Sequence, residues 1–164
     1  MPGHLHLARD QADSAWTHQT TRPIRVVLAD DHAMMRRSLR LLLESEDDLV
    51  VIAEAGDLET VMRHVREHRP HVLALDLGMP DGSSVEAIRR LREEVPGTEI
   101  VGLTMEESPV FAQQALDAGA IGFVLKEMSD EDLPEAVRRA ASGLHYVSPR
   151  GRSEPECPSR LEDR

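Results

Sequence analysis

The sequence predicts an open α/β sheet of five parallel strands, each followed by a helix. Three observations predict it. Short runs of β-branched and aliphatic residues alternate with segments of helical period. The runs are near-continuous in apolar residues, as strands covered on both faces are. Cap and turn residues fall at the joints. Right-handed crossovers carry the helices to both faces of this doubly wound (βα)5 sheet, and the strand order expected is 2-1-3-4-5.

The elements follow in order. The strand runs are IRVVLA (24–29), LVVIAEA (49–55), HVLALDL (71–77), EIVGLT (99–104) and AIGFVLK (120–126). After the first run, Met35, Leu39, Leu42 and Leu43 form one apolar helical stripe. Leu58, Val61, Met62 and Val65 repeat it, as do Leu133, Val137, Ala140 and Ala141. Ser83 and Glu86 have capping-box spacing ahead of VEAIRRLREEV. Ser108 and Pro109 suit an N-cap and first helical position, and Gly119 suits the left-handed residue that ends that helix. Ser129 is the expected cap of the last helix, with Gly143 closing it.

Composition bounds the function. The chain has 164 residues, 40% of them hydrophobic, enough for one buried core. Its net charge of −11 argues against a general nucleic-acid binder, which needs a basic face. Residues 1–23 carry two Arg against two Asp, and residues 148–164 four Arg against four acids. The acidic excess therefore lies in 24–147, which is read as the domain, with 1–23 and 148–164 as flexible tails. The apolar runs are too short for a membrane span, and no secretory signal is read at the N-terminus. The lone Cys157 excludes an internal disulfide and fits the cytoplasm.

In such a sheet the ligand sits beyond the C-terminal ends of the strands. There the first strand offers Asp30 and Asp31, the third Asp76 followed by Gly78, the fourth Thr104 and the fifth Lys126. The second ends in Glu54 and Ala55, to which no chemistry is assigned. With strands one and three adjacent, the three carboxylates converge. Together they need a cation, and Mg²⁺ with its oxygen preference suits them. Thr104 and Lys126 on the same rim suit a phosphoryl group. Lys126 is the one Lys among 19 basic residues, so a compact ammonium is favoured there over a guanidinium. Of the histidines, His64 and His68 stand at i, i+4 near His71, and with no third ligand evident they read as a solvated face. His32 reads as a helix start, and Arg36–Arg37, Arg89–Arg90 and Arg138–Arg139 as polar helix faces.

These residues resemble the receiver domain of bacterial two-component response regulators over about residues 24–147. The resemblance rests on VVLADDHAMMRRSLRLLL, VLALDLGMPDGSSVEAI, IVGLTMEES and ALDAGAIGFVLKEMSDEDL. The wording DDHAMMRRSL and GFVLKEMSDEDL is most similar to the LuxR/NarL-type subfamily. The resemblance implies a flavodoxin-like fold and makes Asp76 the phosphoacceptor. It makes Asp31 the direct Mg²⁺ ligand, with Asp30 beside it through water and the Gly78 carbonyl completing the set. It gives Thr104 and Lys126 the phosphoryl oxygens and makes Phe123 the switch aromatic. It implies a sensor histidine kinase as phosphodonor, and a signalling switch rather than an enzyme in its own right.

The sequence departs from the family pattern in places. Glu127 follows the Lys where Pro is frequent, and Phe123 lacks the hydroxyl of the frequent Tyr. Ser84 stands where Gly is usual, which predicts a stiffer loop after Asp76. After GLHYVSP comes RGRSEPECPSRLEDR, too short and too broken by Pro for the helix-turn-helix domain of LuxR-type regulators. The expectation is therefore output through residues 107–142, onto a second copy or another protein, and not direct DNA binding. The alternatives are a remnant or fragment of a LuxR-type DNA-binding regulator, or a non-phosphorylated interaction module of the same fold. A haloacid-dehalogenase-type phosphatase would need D-x-D after the first strand, where Asp30-Asp31-His32 stands.

Overall fold

A computed structural model describes residues 22–148. Residues 1–21 and 149–164, which make up nearly all of both expected tails, lie outside the described residues. The elements are β1 (Ile24–Ala29), α1 (Ala33–Glu44), β2 (Leu49–Ala55), α2 (Leu58–His68), β3 (Val72–Asp76) and α3 (Ser84–Glu94). They continue with β4 (Glu99–Thr104), α4 (Pro109–Ala118), β5 (Gly122–Leu125), a 3-10 turn (Lys126–Met128), α5 (Ser129–Ala141) and β6 (Tyr146–Val147). All strands are parallel, in the order β2-β1-β3-β4-β5-β6.

The strand alternation sorts the core into two layers. Val26, Leu28, Ala74, Val101, Leu103 and Val124 face Leu39 and Leu43 of α1 and Leu133 and Val137 of α5. Val27, Leu73, Leu75, Ile100, Phe123 and Leu125 face the other way, onto α2, α3 and α4. Both sets are almost fully buried, which explains why the strands read as unbroken apolar runs. Burial of each such Leu or Phe contributes about 1.5–3 kcal/mol.

Caps fix where the helices begin. Asp57 accepts from the Thr60 N–H, Ser83 from Glu86 and Ser108 from Phe111, with Pro109 in the first turn of α4. Only half of the expected capping box forms, since the Glu86 carboxylate turns instead to Arg89. Gly119 has φ 121°, and a Cβ there would lie 2.4 Å from Arg92 Cγ, so glycine is required twice over.

Four expectations are corrected. Ser129 is the first residue of α5 and not its cap, because the 3-10 turn at Lys126–Met128 already leads the chain into the helix. The third and fifth strands are shorter than their apolar runs, which continue into the flanking turns. The sheet gains β6, two residues beside β5 and too short to show a period. Ser148, assigned to the C-terminal tail, is buried. Its N–H donates to the Phe123 carbonyl at 3.0 Å, and its hydroxyl donates to Asp132 at 2.7 Å.

Candidate functional site

The sheet register builds the site. β1 pairs with β3 up to Ala29 opposite Leu75, so the next residues, Asp30 and Asp76, come level. β3 pairs with β4 to Asp76 opposite Leu103, and β4 with β5 to Thr104 opposite Leu125. Thr104 and Lys126 thus stand beside the acids at the same rim. The expected strand-end residues are brought together, with Gly78 on the loop after β3.

Asp30 is fully buried. Its Oδ1 accepts the His32 N–H at 2.8 Å, and its Oδ2 lies 2.6 Å from Lys126 Nζ. The same Nζ is 3.0 Å from Asp76 Oδ2, while Asp76 Oδ1 accepts the Gly78 N–H at 2.9 Å. Burial pulls the Lys126 ammonium toward neutrality. The carboxylates of Asp30 and Asp76 outweigh that and hold its pKa above the ordinary lysine value. Asp31 is less buried, with Oδ1 3.2 Å from His32 Nδ1. Thr104 is buried, and its Oγ1 accepts the Glu106 N–H at 3.1 Å, which leaves the O–H free to donate. His32, Asp76, Gly78, Thr104 and Lys126 line a cleft of about 170 Å³. Phe123 is 1% exposed and packs in the core behind the cleft instead of lining it.

One lysine cannot neutralise three carboxylates. Asp31 Oδ1 is buried without a hydrogen bond, and Asp30 Oδ2 meets the one Lys126 ammonium that it shares with Asp76. Asp30, Asp31, His32 and Asp76 bring ligand atoms within 4.8 Å of one another. This unspent acceptor capacity fits a hard divalent cation.

Three features were not read from sequence. Arg36, taken for a polar face, sends Nη1 to the Asp30 carbonyl at 2.6 Å and sets Nε 3.5 Å from Glu54. It braces the turn that carries both acids. Glu54, taken as inert, also holds Arg40, so the end of β2 anchors α1. His32, taken as a helix start, also sets its ring against both acids. The signal for Arg36 was its place one turn into the helix that follows the acid pair. The stiffer loop expected from Ser84 has a structural basis, since its hydroxyl donates to the Asp76 carbonyl at 3.1 Å.

The family model described as the response regulator receiver domain matches residues 26–138. The chain belongs to the response regulator receiver family. This receiver domain is 40% identical over 125 residues to the oxygen regulatory protein NreC of Staphylococcus epidermidis, covering 76% of this chain and 57% of that protein. It thus spans little more than half the length of that curated relative. Among solved structures it is similar to a LuxR-family two-component response regulator from Aurantimonas sp. SI85-9A1, with TM-score 0.75 and 32% identity, over 79% of this chain and 92% of that one. It is also similar to the isolated REC domain of RcsB from Salmonella enterica serovar Typhimurium with the phosphomimetic BeF3-, with TM-score 0.73 and 28% identity, over 79% and 96%. The receiver is a signalling phosphoacceptor module of the NarL/NreC type. Among its described residues no helix is long and apolar enough to cross a membrane.

Proposed function

We propose that this receiver accepts a phosphoryl group on Asp76 from a phosphohistidine of a sensor kinase. The carrying observation is Asp76 itself, a buried carboxylate at the cleft floor with Lys126 Nζ at 3.0 Å and the Thr104 hydroxyl on the same rim. A carboxylate oxygen of Asp76 attacks phosphorus. The P–N bond breaks, its electron pair returns to the imidazole nitrogen, and an acyl phosphate forms. Lys126 and Thr104 hold the phosphoryl oxygens. Asp31 directly, Asp30 through water, Asp76 and the Gly78 carbonyl would hold Mg²⁺, which supplies charge neutralisation between nucleophile and phosphate.

The output surface is residues 107–142, because α4, β5 and α5 flank the two phosphoryl-binding residues and Phe123 packs behind them. A phosphoryl group shifts that surface only by contacts made in one of two states. The partner is a second copy or another polypeptide, since the net charge of −11 disfavours phosphate backbones. The reading places the reaction in the cytoplasm, whose reducing conditions the single Cys157 suits.

Incubation with a small-molecule phosphodonor and Mg²⁺, followed by intact mass, tests the assignment. The parent gains one phosphoryl mass and Asp76→Asn gains none. An undiminished adduct in the variant overturns it. Lys126→Arg is expected to accept phosphate yet fail to dimerise or dock, because a planar guanidinium does not replace the ammonium. Tight, sequence-specific duplex binding by this chain at physiological salt would overturn the protein-surface output.

A further inference from the structure

We propose that His64, Glu67 and His68 on α2 form a second metal site, for a borderline divalent ion such as Zn²⁺, separate from the acidic cleft. The sequence there is HVREH, two imidazoles at i, i+4 with a carboxylate at i+3. On a helix these positions are neighbours on one face. Their ligand atoms lie within 4.8 Å of one another, and the two rings stand 5.5 Å apart between centroids, tilted by 38°. The third ligand that spacing alone did not supply is Glu67.

The polar capacity of these groups is unspent. His64 Nδ1 is buried with no hydrogen-bond partner. Glu94, Glu86 and Glu99 each pair with an arginine, whereas Glu67 forms no ion pair among the described residues. The platform is fixed as well. Asp57 caps the start of α2, and the Arg25 guanidinium donates to the carbonyls of His68 at 2.9 Å and Arg69 at 3.3 Å. A rigid helix end holds the ligands in place before an ion arrives.

Ligand chemistry separates the two sites. Two imidazole nitrogens and one carboxylate oxygen suit Zn²⁺, Co²⁺ or Ni²⁺. Mg²⁺ dehydrates reluctantly and prefers oxygen, so it belongs in the Asp30–Asp31–Asp76 cleft. With all three ligands on one helix, the remaining coordination positions stay open to water.

The test is Zn²⁺ titration of the full chain by calorimetry in saturating Mg²⁺, with Co²⁺ absorption as a second readout. Parent, His64→Gln/His68→Gln, His68→Gln and Glu67→Gln are compared. All carry His4→Gln and His6→Gln, so that the N-terminal H-L-H does not contribute. The parent is expected to bind one Zn²⁺ that Mg²⁺ does not displace, and to unfold at a higher temperature when loaded. The double variant is expected to lose at least tenfold in affinity together with the thermal gain, His68→Gln to lose most of it, and Glu67→Gln to weaken severalfold. His68→Gln keeps His64 in place and guards against a folding defect in the double variant. Equal stoichiometry and affinity in parent and histidine variants overturns the site. So does displacement of Zn²⁺ by Mg²⁺, which would place the ion in the acidic cleft. An unchanged Glu67→Gln overturns the three-ligand assignment.

Discussion

At one end of the parallel sheet Arg138 reaches from α5 to Asp48, with two contacts of 2.8 Å, and to Glu46. At the other end Lys126 stands between Asp30 and Asp76. The first cluster is about a third exposed or more, and the second is nearly sealed. Around the first, polar groups are satisfied locally. The Arg25 N–H donates to His71 Nδ1 at 2.9 Å, and the Thr98 hydroxyl donates to the Pro70 carbonyl at 2.8 Å. Around the second, the carboxylates of Asp30 and Asp76 share one ammonium, and Asp31 Oδ1 is buried without a hydrogen bond. One end closes the fold. The other holds back bonding capacity, at a cost in stability, and is the end proposed to take a cation and a phosphoryl group.

The largest test removes one cation from each end. Lys126→Met leaves buried carboxylates unpaired and should cost about 3 kcal/mol in urea unfolding without divalent ions. Arg138→Met exposes its partners to water and should cost under about 1 kcal/mol, less in high salt. Equal losses would break the distinction between the ends.

Asp31→Asn relieves repulsion at the site and should raise stability by about 1 kcal/mol while weakening Mg²⁺ binding markedly. Denaturation and metal titration of one preparation check both halves. Unchanged metal affinity would remove Asp31 from the ligand set.

The closed end also predicts a pH signature. Hydrogen bonding from Arg138 holds the Asp48 carboxyl below its ordinary value. A carboxyl depressed by folding contributes stability that is present above its unfolded pKa, near 3.8, and lost as pH falls through the lower folded value. The gap between parent and Arg138→Met should therefore hold at neutral pH and narrow below about pH 4. A gap independent of pH down to 2 would show that Arg138 acts through packing alone.

The same contrast explains what was legible in sequence. Five strands and five helices follow from period and punctuation, because two-sided burial writes itself into runs such as VVLA and VLAL, and the strand order follows from the fold class those elements define. The cleft residues were legible because carboxylates and a lone lysine at strand ends have no packing reason to be there. Arg36 and Glu54 were not, since a charged residue on an amphipathic helix or an edge strand looks the same whether it faces water or braces a turn. β6 was hidden because its two residues depend on the edge of β5 and on the Tyr146 hydroxyl meeting Asp132 at 2.8 Å, contacts that no local pattern encodes.

The smallest effect lies at the closed end, away from the acidic cleft. Among the described residues Arg69 is the one non-glycine residue with positive φ, at 44° with ψ 61°, ending α2 in the left-handed region. An L-residue is disfavoured there by about 1–2 kcal/mol, which glycine does not pay. Against this, glycine gives the unfolded chain more freedom to lose, by about 0.5–1 kcal/mol. The Arg25 contact is to the Arg69 carbonyl and survives the change. Arg69→Gly should therefore gain about 0.5 kcal/mol in urea unfolding, and Arg69→Ala, which keeps the strain, should gain nothing. Neither should alter phosphorylation of Asp76, since this cap lies at the end of the sheet away from the cleft. Relief of repulsion at the Asp31 end costs Mg²⁺ binding, whereas relief of strain here leaves Mg²⁺ binding intact. A phosphorylation rate that falls with Arg69→Gly would show that the two ends are coupled.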